Sequence, residues 1–172
     1  YGRAKIENGT ALFRFEKKGN VQRLIHNLKY KDHEHIGFVL GNWLGGELKT
    51  LETYKNIDAV IPVPLHKNKL KKRGYNQVAL FGQQIAAALN TDYLDDVLVK
   101  ITNTKSQTTK GRFTRWNNTD ELFALKNMEA IDNKHILIVD DIITTGATIE
   151  ACIGVLNQVK NIKISVATIA IA

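Results

Sequence analysis

The stretch Val139-Asp140-Asp141-Ile142-Ile143-Thr144-Thr145-Gly146-Ala147-Thr148 follows directly on the apolar run His135-Ile136-Leu137-Ile138-Val139. A short apolar run such as HILIV is typical of a central parallel strand buried on both faces. Beyond Gly146, Ile149, Cys152, Ile153 and Leu156 recur at helical spacing, which predicts a helix from about Ala147 to Val159. The reading is strand, acidic pair, turn, helix. Cys152 falls on the apolar face of that helix and reads as a small buried hydrophobe.

A turn that opens a helix suits an anion. The first N–H groups of a helix have no internal partner, and its dipole places partial positive charge there. Thr144, Thr145 and Thr148 add hydroxyl donors, and Gly146 lets the backbone turn and approach a ligand closely. Together with Ala147 they describe a cradle for a terminal phosphate. Asp140 and Asp141 would repel that phosphate, so they suit ribose hydroxyls or a hydrated cation close by. A ribose 5-phosphate with Mg²⁺ meets the description, because Mg²⁺ keeps several waters and binds through few carboxylates plus ligand oxygens.

Working outward, Ile162–Ile171 reads as a closing strand and Leu122–Leu125 as a short one. Thr102–Asp120 is a long polar stretch without periodicity, the length of a functional lid or a disordered insertion. Leu94–Ile101 and Ile57–Val63 read as strands, the latter stopped by Pro62 and Pro64. Asn76 is placed as the N-cap of a helix bearing Val78, Phe81, Ile85 and Leu89, ending near Asn90. Upstream, Ile36, Val39, Leu40, Trp43, Leu44 and Leu48 share one face of a helix, with Trp43 assigned to the core. Val21, Leu24, Ile25 and Leu28 mark another helix, and residues 10–16 a weak strand. The sum is an α/β fold with a mostly parallel central sheet flanked by helices.

The 172 residues suit a single domain, with 44% hydrophobic and 24% charged residues. One cysteine excludes an intramolecular disulfide framework and a cysteine-built metal site, and the cytoplasm is the expected compartment. No segment has membrane-spanning length, and the start shows no signal or transit pattern. Tyr1 opens the chain and Met128 is the sole methionine, so it reads as a piece of a longer translated protein. A net charge of +7 suits a polyanionic partner. Lys67, Lys69, Lys71, Lys72 and Arg73 form one basic turn without an acid. Lys100, Lys105, Lys110, Arg112 and Arg115 form another, and both flank strand ends.

The string Asp140-Asp141-Ile142-Ile143-Thr144-Thr145-Gly146-Ala147-Thr148 resembles the phosphoribosyl pyrophosphate (PRPP) signature of type I phosphoribosyltransferases. The resemblance implies that Asp140 and Asp141 contact the ribose hydroxyls while Thr144–Thr148 hold the 5′-phosphate. A narrower resemblance covers most of the chain. Leu28-Lys29-Tyr30, Ile61-Pro62-Val63-Pro64-Leu65-His66 and Arg73-Gly74-Tyr75-Asn76-Gln77 are similar to the ComF branch, which includes competence-associated DNA-uptake proteins. Thr104-Lys105-Ser106-Gln107 with Arg115 and Asn118 is similar to a further block of that branch. ComF proteins commonly open with a four-cysteine zinc ribbon, which this chain lacks.

The resemblance implies the type I phosphoribosyltransferase fold with a flexible hood. Residues 1–50 would form part of that hood and 51–172 the core. Pro64, Leu65 and His66 would be the pyrophosphate loop, with Arg73 as charge clamp, because its fork geometry matches phosphate oxygens. Arg112 or Arg115 would reach the pyrophosphate on closure of Thr102–Asp120, which would exclude water. Trp116 would anchor the lid or stack on an acceptor base. Lys29, Tyr30, Asn76, Gln77, Gln107 and Asn118 are further ligand candidates, and His66 a candidate base.

The expected activity is transfer of the phosphoribosyl group from PRPP to a nitrogen acceptor, with Asp140, Asp141 and Arg73 as the catalytic set. Mg²⁺ would be the cofactor, held indirectly by Asp140 and Asp141. The alternative is a PRPP- or nucleotide-binding module, or a DNA-uptake adaptor, without turnover. Expected partners are PRPP and a small-molecule acceptor, with single-stranded DNA or a competence protein as further candidates and no membrane. A homodimer is left open.

Overall fold

A computed structural model describes residues 4–29, 33–101 and 122–172. Five strands form one sheet in the order β1-β7-β6-β2-β3, and every neighbouring pair is parallel. The strands are β1 (Gly9–Arg14), β2 (Ala59–Pro62), β3 (Asp92–Tyr93), β6 (His135–Ile143) and β7 (Lys163–Ile171). Two more, β4 (Leu98–Ile101) and β5 (Leu122–Leu125), make a separate antiparallel ribbon. The helices are α1 (Asn20–Leu28), α2 (His35–Thr50), α3 (Lys67–Arg73), α4 (Ala79–Leu89) and α5 (Ala147–Leu156).

β6 explains why the sheet is covered on both sides. Alternation along a strand sends Leu137 and Val139 to one face and Ile136 and Ile138 to the other, and all four are fully buried. Leu137 and Val139 pack with Ile25, Leu28, Leu40, Leu44, Phe81 and Ile85 of α1, α2 and α4. Ile136 and Ile138 pack with Ile149, Cys152, Ile153 and Leu156 of α5 and with Leu98 and Phe123 of the ribbon. Burying each such side chain contributes about 1.5–3 kcal/mol. Cys152 is one of these core residues.

Several sequence expectations are corrected. The strand read as His135–Val139 runs on to Ile143, because β7 supplies ladder partners: Asp140 opposite Thr168, Ile142 opposite Ala170 and Ile143 opposite Ile171. The acidic pair therefore lies within the strand. The run Leu94–Ile101 is not one strand. β3 ends at Tyr93, the exposed bend at Asp95–Asp96 turns the chain out of the sheet, and β4 pairs with β5 instead. The basic turn at Lys67–Arg73 is a short helix. His66 Nδ1 accepts from the Asn68 N–H at 3.2 Å, and Gly74 ends the helix at φ 88°. Three cations in its last turn suit the helix dipole.

Trp43 is not core: it is 52% exposed and meets Phe13 edge to face at 5.7 Å. Val39 is 58% exposed. The buried face of α2 is instead Gly37, Leu40, Gly41, Leu44, Gly45 and Leu48. Its glycines let α2 lie against α4 at backbone distance, since a Cβ on Gly41 would stand 2.5 Å from the Phe81 carbonyl oxygen.

Candidate functional site

β6 and β2 are neighbours in the sheet, so their carboxyl ends place two loops side by side, where ligands bind in open α/β sheets. After β6, Gly146 stands at φ 80° and begins α5, with Glu150 N–H donating to its carbonyl at 2.8 Å. A Cβ there would meet nothing within 4 Å. Glycine is therefore required by the left-handed backbone and not by space. Thr145 Oγ1 accepts from the Ala147 N–H at 3.4 Å. The resulting hollow is lined by Asp140 and by Ile142 through Ile149, with Thr144 and Thr145 exposed at its rim and Thr148 partly buried.

Consecutive strand residues point to opposite faces. Asp140, 8% exposed, lines this hollow and accepts the Asp141 N–H at 2.8 Å. Asp141, 6% exposed, takes its side-chain contacts elsewhere. Its Oδ2 accepts from Gln77 Nε2 at 3.2 Å and lies 3.7 Å from Lys29 Nζ. Gln77 Oε1 in turn accepts from the Arg73 guanidinium. The pair thus faces the Thr144–Thr148 turn on one side and a basic, amide-lined group on the other.

After β2, the Val63 N–H donates to the Val139 carbonyl at 2.9 Å, which seats residues 63–66 beside β6. Asn76 Nδ2 donates to the Val63 carbonyl at 3.0 Å while its Oδ1 accepts from the Val78 N–H at 3.3 Å. Asn76 therefore caps the turn ahead of α4 and ties it to this loop; the helix proper starts at Ala79. Pro64, Leu65, His66 and Arg73 are partly buried. Lys67, Lys69, Lys71 and Lys72 are exposed on α3. Lys100 lies 5.3 Å from the centre of the Phe123 ring on the ribbon.

One tie was not assigned a role from the sequence. Tyr75 donates its hydroxyl hydrogen to the Leu28 carbonyl at 2.7 Å, which brings the end of α1, and with it Lys29, to the site. No local pattern signals a contact between residues so far apart in the chain. Tyr30, Gln107, Arg112, Arg115, Trp116 and Asn118 lie outside the described residues, as does the rest of Thr102–Asp120.

The donor set suits a hard cation only in part. Two carboxylates supply oxygen ligands, yet no group of three or more His, Cys, Asp or Glu side chains comes together among the described residues. Mg²⁺ at Asp140 and Asp141 would therefore complete its shell with water and ligand oxygens.

A family model described as "Phosphoribosyl transferase domain" matches residues 78–171, more than half of the chain. The chain belongs to this family. The ComF-like resemblance is shared by curated relatives of this phosphoribosyltransferase domain. Competence protein F of Haemophilus influenzae is 29% identical over 130 residues, covering 73% of this chain and 57% of the relative. The DNA utilization protein YhgH of Escherichia coli K12 is 27% identical over 129 residues, covering 73% and 56%. Competence protein ComFC of Streptococcus pneumoniae is 33% identical over 111 residues, covering 64% and 45%. The chain thus spans about half the length of the curated relatives it matches.

Solved structures give the same fold. The adenine phosphoribosyltransferase of Trypanosoma brucei, in complex with AMP, pyrophosphate and ribose-5-phosphate, is 11% identical with a TM-score of 0.52, covering 92% of this chain and 82% of that one. The adenine phosphoribosyltransferase of Leishmania tarentolae is 9% identical with a TM-score of 0.50, covering 96% and 92%. The domain has the type I phosphoribosyltransferase fold. Among the described residues no helix is long and apolar enough to cross a membrane.

Proposed function

We propose that this domain binds PRPP with Mg²⁺ and transfers its phosphoribosyl group to a nitrogen acceptor, releasing pyrophosphate. The observation that carries the reading is Gly146, left-handed at the head of α5, with Thr144–Thr148 around a hollow floored by Asp140. Thr144–Thr148 hold the 5′-phosphate through N–H and hydroxyl donors, and the acidic pair accepts from the ribose hydroxyls. Residues 64–66 and Arg73 receive the pyrophosphate. The acceptor nitrogen forms a bond to C1 of the ribose as the C1–O bond to pyrophosphate breaks, and the electron pair leaves with pyrophosphate. Mg²⁺, when bound, neutralises charge on the pyrophosphate oxygens. The protein's own part is positioning and fixed electrostatics.

Calorimetric titration of PRPP, with and without Mg²⁺, tests this beside an Asp140→Asn/Asp141→Asn variant. Saturable, Mg²⁺-dependent binding that the variant loses is the expected result. A folded wild type that binds no PRPP sinks it.

The names of the curated relatives favour a second reading, an adaptor in DNA utilization without turnover. The exposed lysines of α3 would serve it. Affinity for single-stranded DNA should then fall steeply with added salt, because phosphate contacts release counterions.

A further inference from the structure

Gln77 has both ends of its amide engaged. Its Oε1 accepts from Arg73 and its Nε2 donates to Asp141 Oδ2. Lys29 approaches the same Oδ2, so among the described residues both side-chain contacts of that carboxylate fall on one oxygen, and none falls on Oδ1. The backbone at this point is held from both sides. Asn76 is tied to the loop after β2, and Val78 is fully buried. An uncharged amide can accept from a guanidinium and donate to a carboxylate at once. A glutamate here would face Asp141 with like charge, and a lysine would face Arg73.

We propose, resting on the PRPP reading, that Gln77 is a positioning residue for phosphoribosyl transfer. It fixes the Arg73 guanidinium relative to the Asp141 carboxylate before substrate arrives. The clamp for pyrophosphate and an acceptor for a ribose hydroxyl then stand at a set spacing. Gln77 acts through these two groups and does not touch PRPP. Preorganisation of this kind lowers the ordering cost of binding.

The test is PRPP calorimetry with Mg²⁺ on wild type, Gln77→Met, Arg73→Met and the double variant, beside thermal melts. Gln77→Met should weaken PRPP binding about tenfold, the scale of one hydrogen bond to a charged group. Its melting temperature should stay within about 4 °C of wild type. In the Arg73→Met background the same change should have a much smaller effect, because one of the groups it positions is gone. Gln77→Glu should weaken binding more than Gln77→Met. Wild-type affinity in Gln77→Met overturns the inference and leaves the PRPP site standing. A full, additive loss in both backgrounds overturns it differently, by making Gln77 a direct ligand contact. A wild type that does not bind PRPP removes both the function and the inference. Should Gln77→Met melt far lower, Gln77→Asn, whose amide is too short to reach both partners, replaces it under the same criteria.

Discussion

Lys29 Nζ stands 3.7 Å from Asp141 Oδ2, and the two side chains are unequal partners: the lysine is 40% exposed and the aspartate is buried. Removing the lysine leaves a buried carboxylate whose remaining side-chain contact among the described residues is Gln77. Lys29→Met should lower stability by about 1 kcal/mol, a modest value because solvent screens the open side of the pair. Adding Asp141→Asn should recover part of that loss, since no charge then needs a partner. Urea denaturation of the two single variants and the double reads both effects, and an unmoved midpoint in Lys29→Met would mean that water replaces the ammonium without penalty.

Two glycines on α2 should respond with opposite sign. A Cβ on Gly41 would lie 2.5 Å from the Phe81 carbonyl oxygen and 2.9 Å from its Cα, so the helices must part to admit it. Gly41→Ala should destabilise the domain by about 1–3 kcal/mol, as overpacking does. A Cβ on Gly46 meets nothing within 4 Å. There the gain in helix propensity acts alone, and Gly46→Ala should stabilise by up to about 1 kcal/mol. Thermal melts of the two variants suffice, and equal shifts would refute the close approach of α2 and α4.

Gly146→Ala separates conformation from space. The position is open, so the expected cost of about 1–2 kcal/mol comes only from holding an L-residue in the left-handed region. If the turn relaxes to avoid that strain, the cradle changes shape, and PRPP affinity should fall by more than stability does. Calorimetry and a melt on one protein sample compare the two. A variant with unchanged PRPP affinity would show that the turn's shape is not what holds the phosphate.

His135 makes stability depend on pH at the opposite end of β6. Burial lowers its pKa below the usual 6.5; Lys163 acts in the same direction, while Glu7, Asp58 and a backbone contact at Asn56 oppose it. Its Nε2 is 2.8 Å from Ser165 Oγ, and its backbone N–H donates to Asp58 Oδ2. A histidine depressed in the folded state takes up its proton more readily when unfolded. Its stabilising contribution is therefore complete above pH 6.5 and is lost as pH falls through the folded value. Unfolding free energy should drop as the pH is lowered from 6.5 towards about 5, and His135→Gln should flatten that part of the profile. An identical slope in the variant would assign the drop to carboxylates.

The element order was largely legible because its signals are local. The buried run before the acidic pair, the glycine at a left-handed turn and the helical spacing of Ile149, Cys152, Ile153 and Leu156 are all readable within a few residues of one another. What misled was equally local. Val39 and Trp43 look like core on a helical wheel, yet α2 turns its glycines inward, because close backbone approach to α4 outweighs burial of two large side chains. Glycine carries no hydropathy signal, and its use depends on a helix elsewhere in the chain. The run Lys67–Arg73 has no apolar period either, so its short helix rests on the caps at His66 and Gly74.

By itself, the amino-acid sequence determined that a strand, an acidic pair and a glycine-threonine turn meet at the head of a helix, since covalent neighbours and backbone sterics decide that much. Only the tertiary structure decided that β6 continues through the pair, because its ladder partner β7 arrives from later in the chain. That continuation separates Asp140 from Asp141 by the alternation of a strand, one toward the turn and one toward Lys29, Gln77 and Arg73. Contacts between residues distant in sequence are set by packing, and packing is settled only when the whole chain has folded.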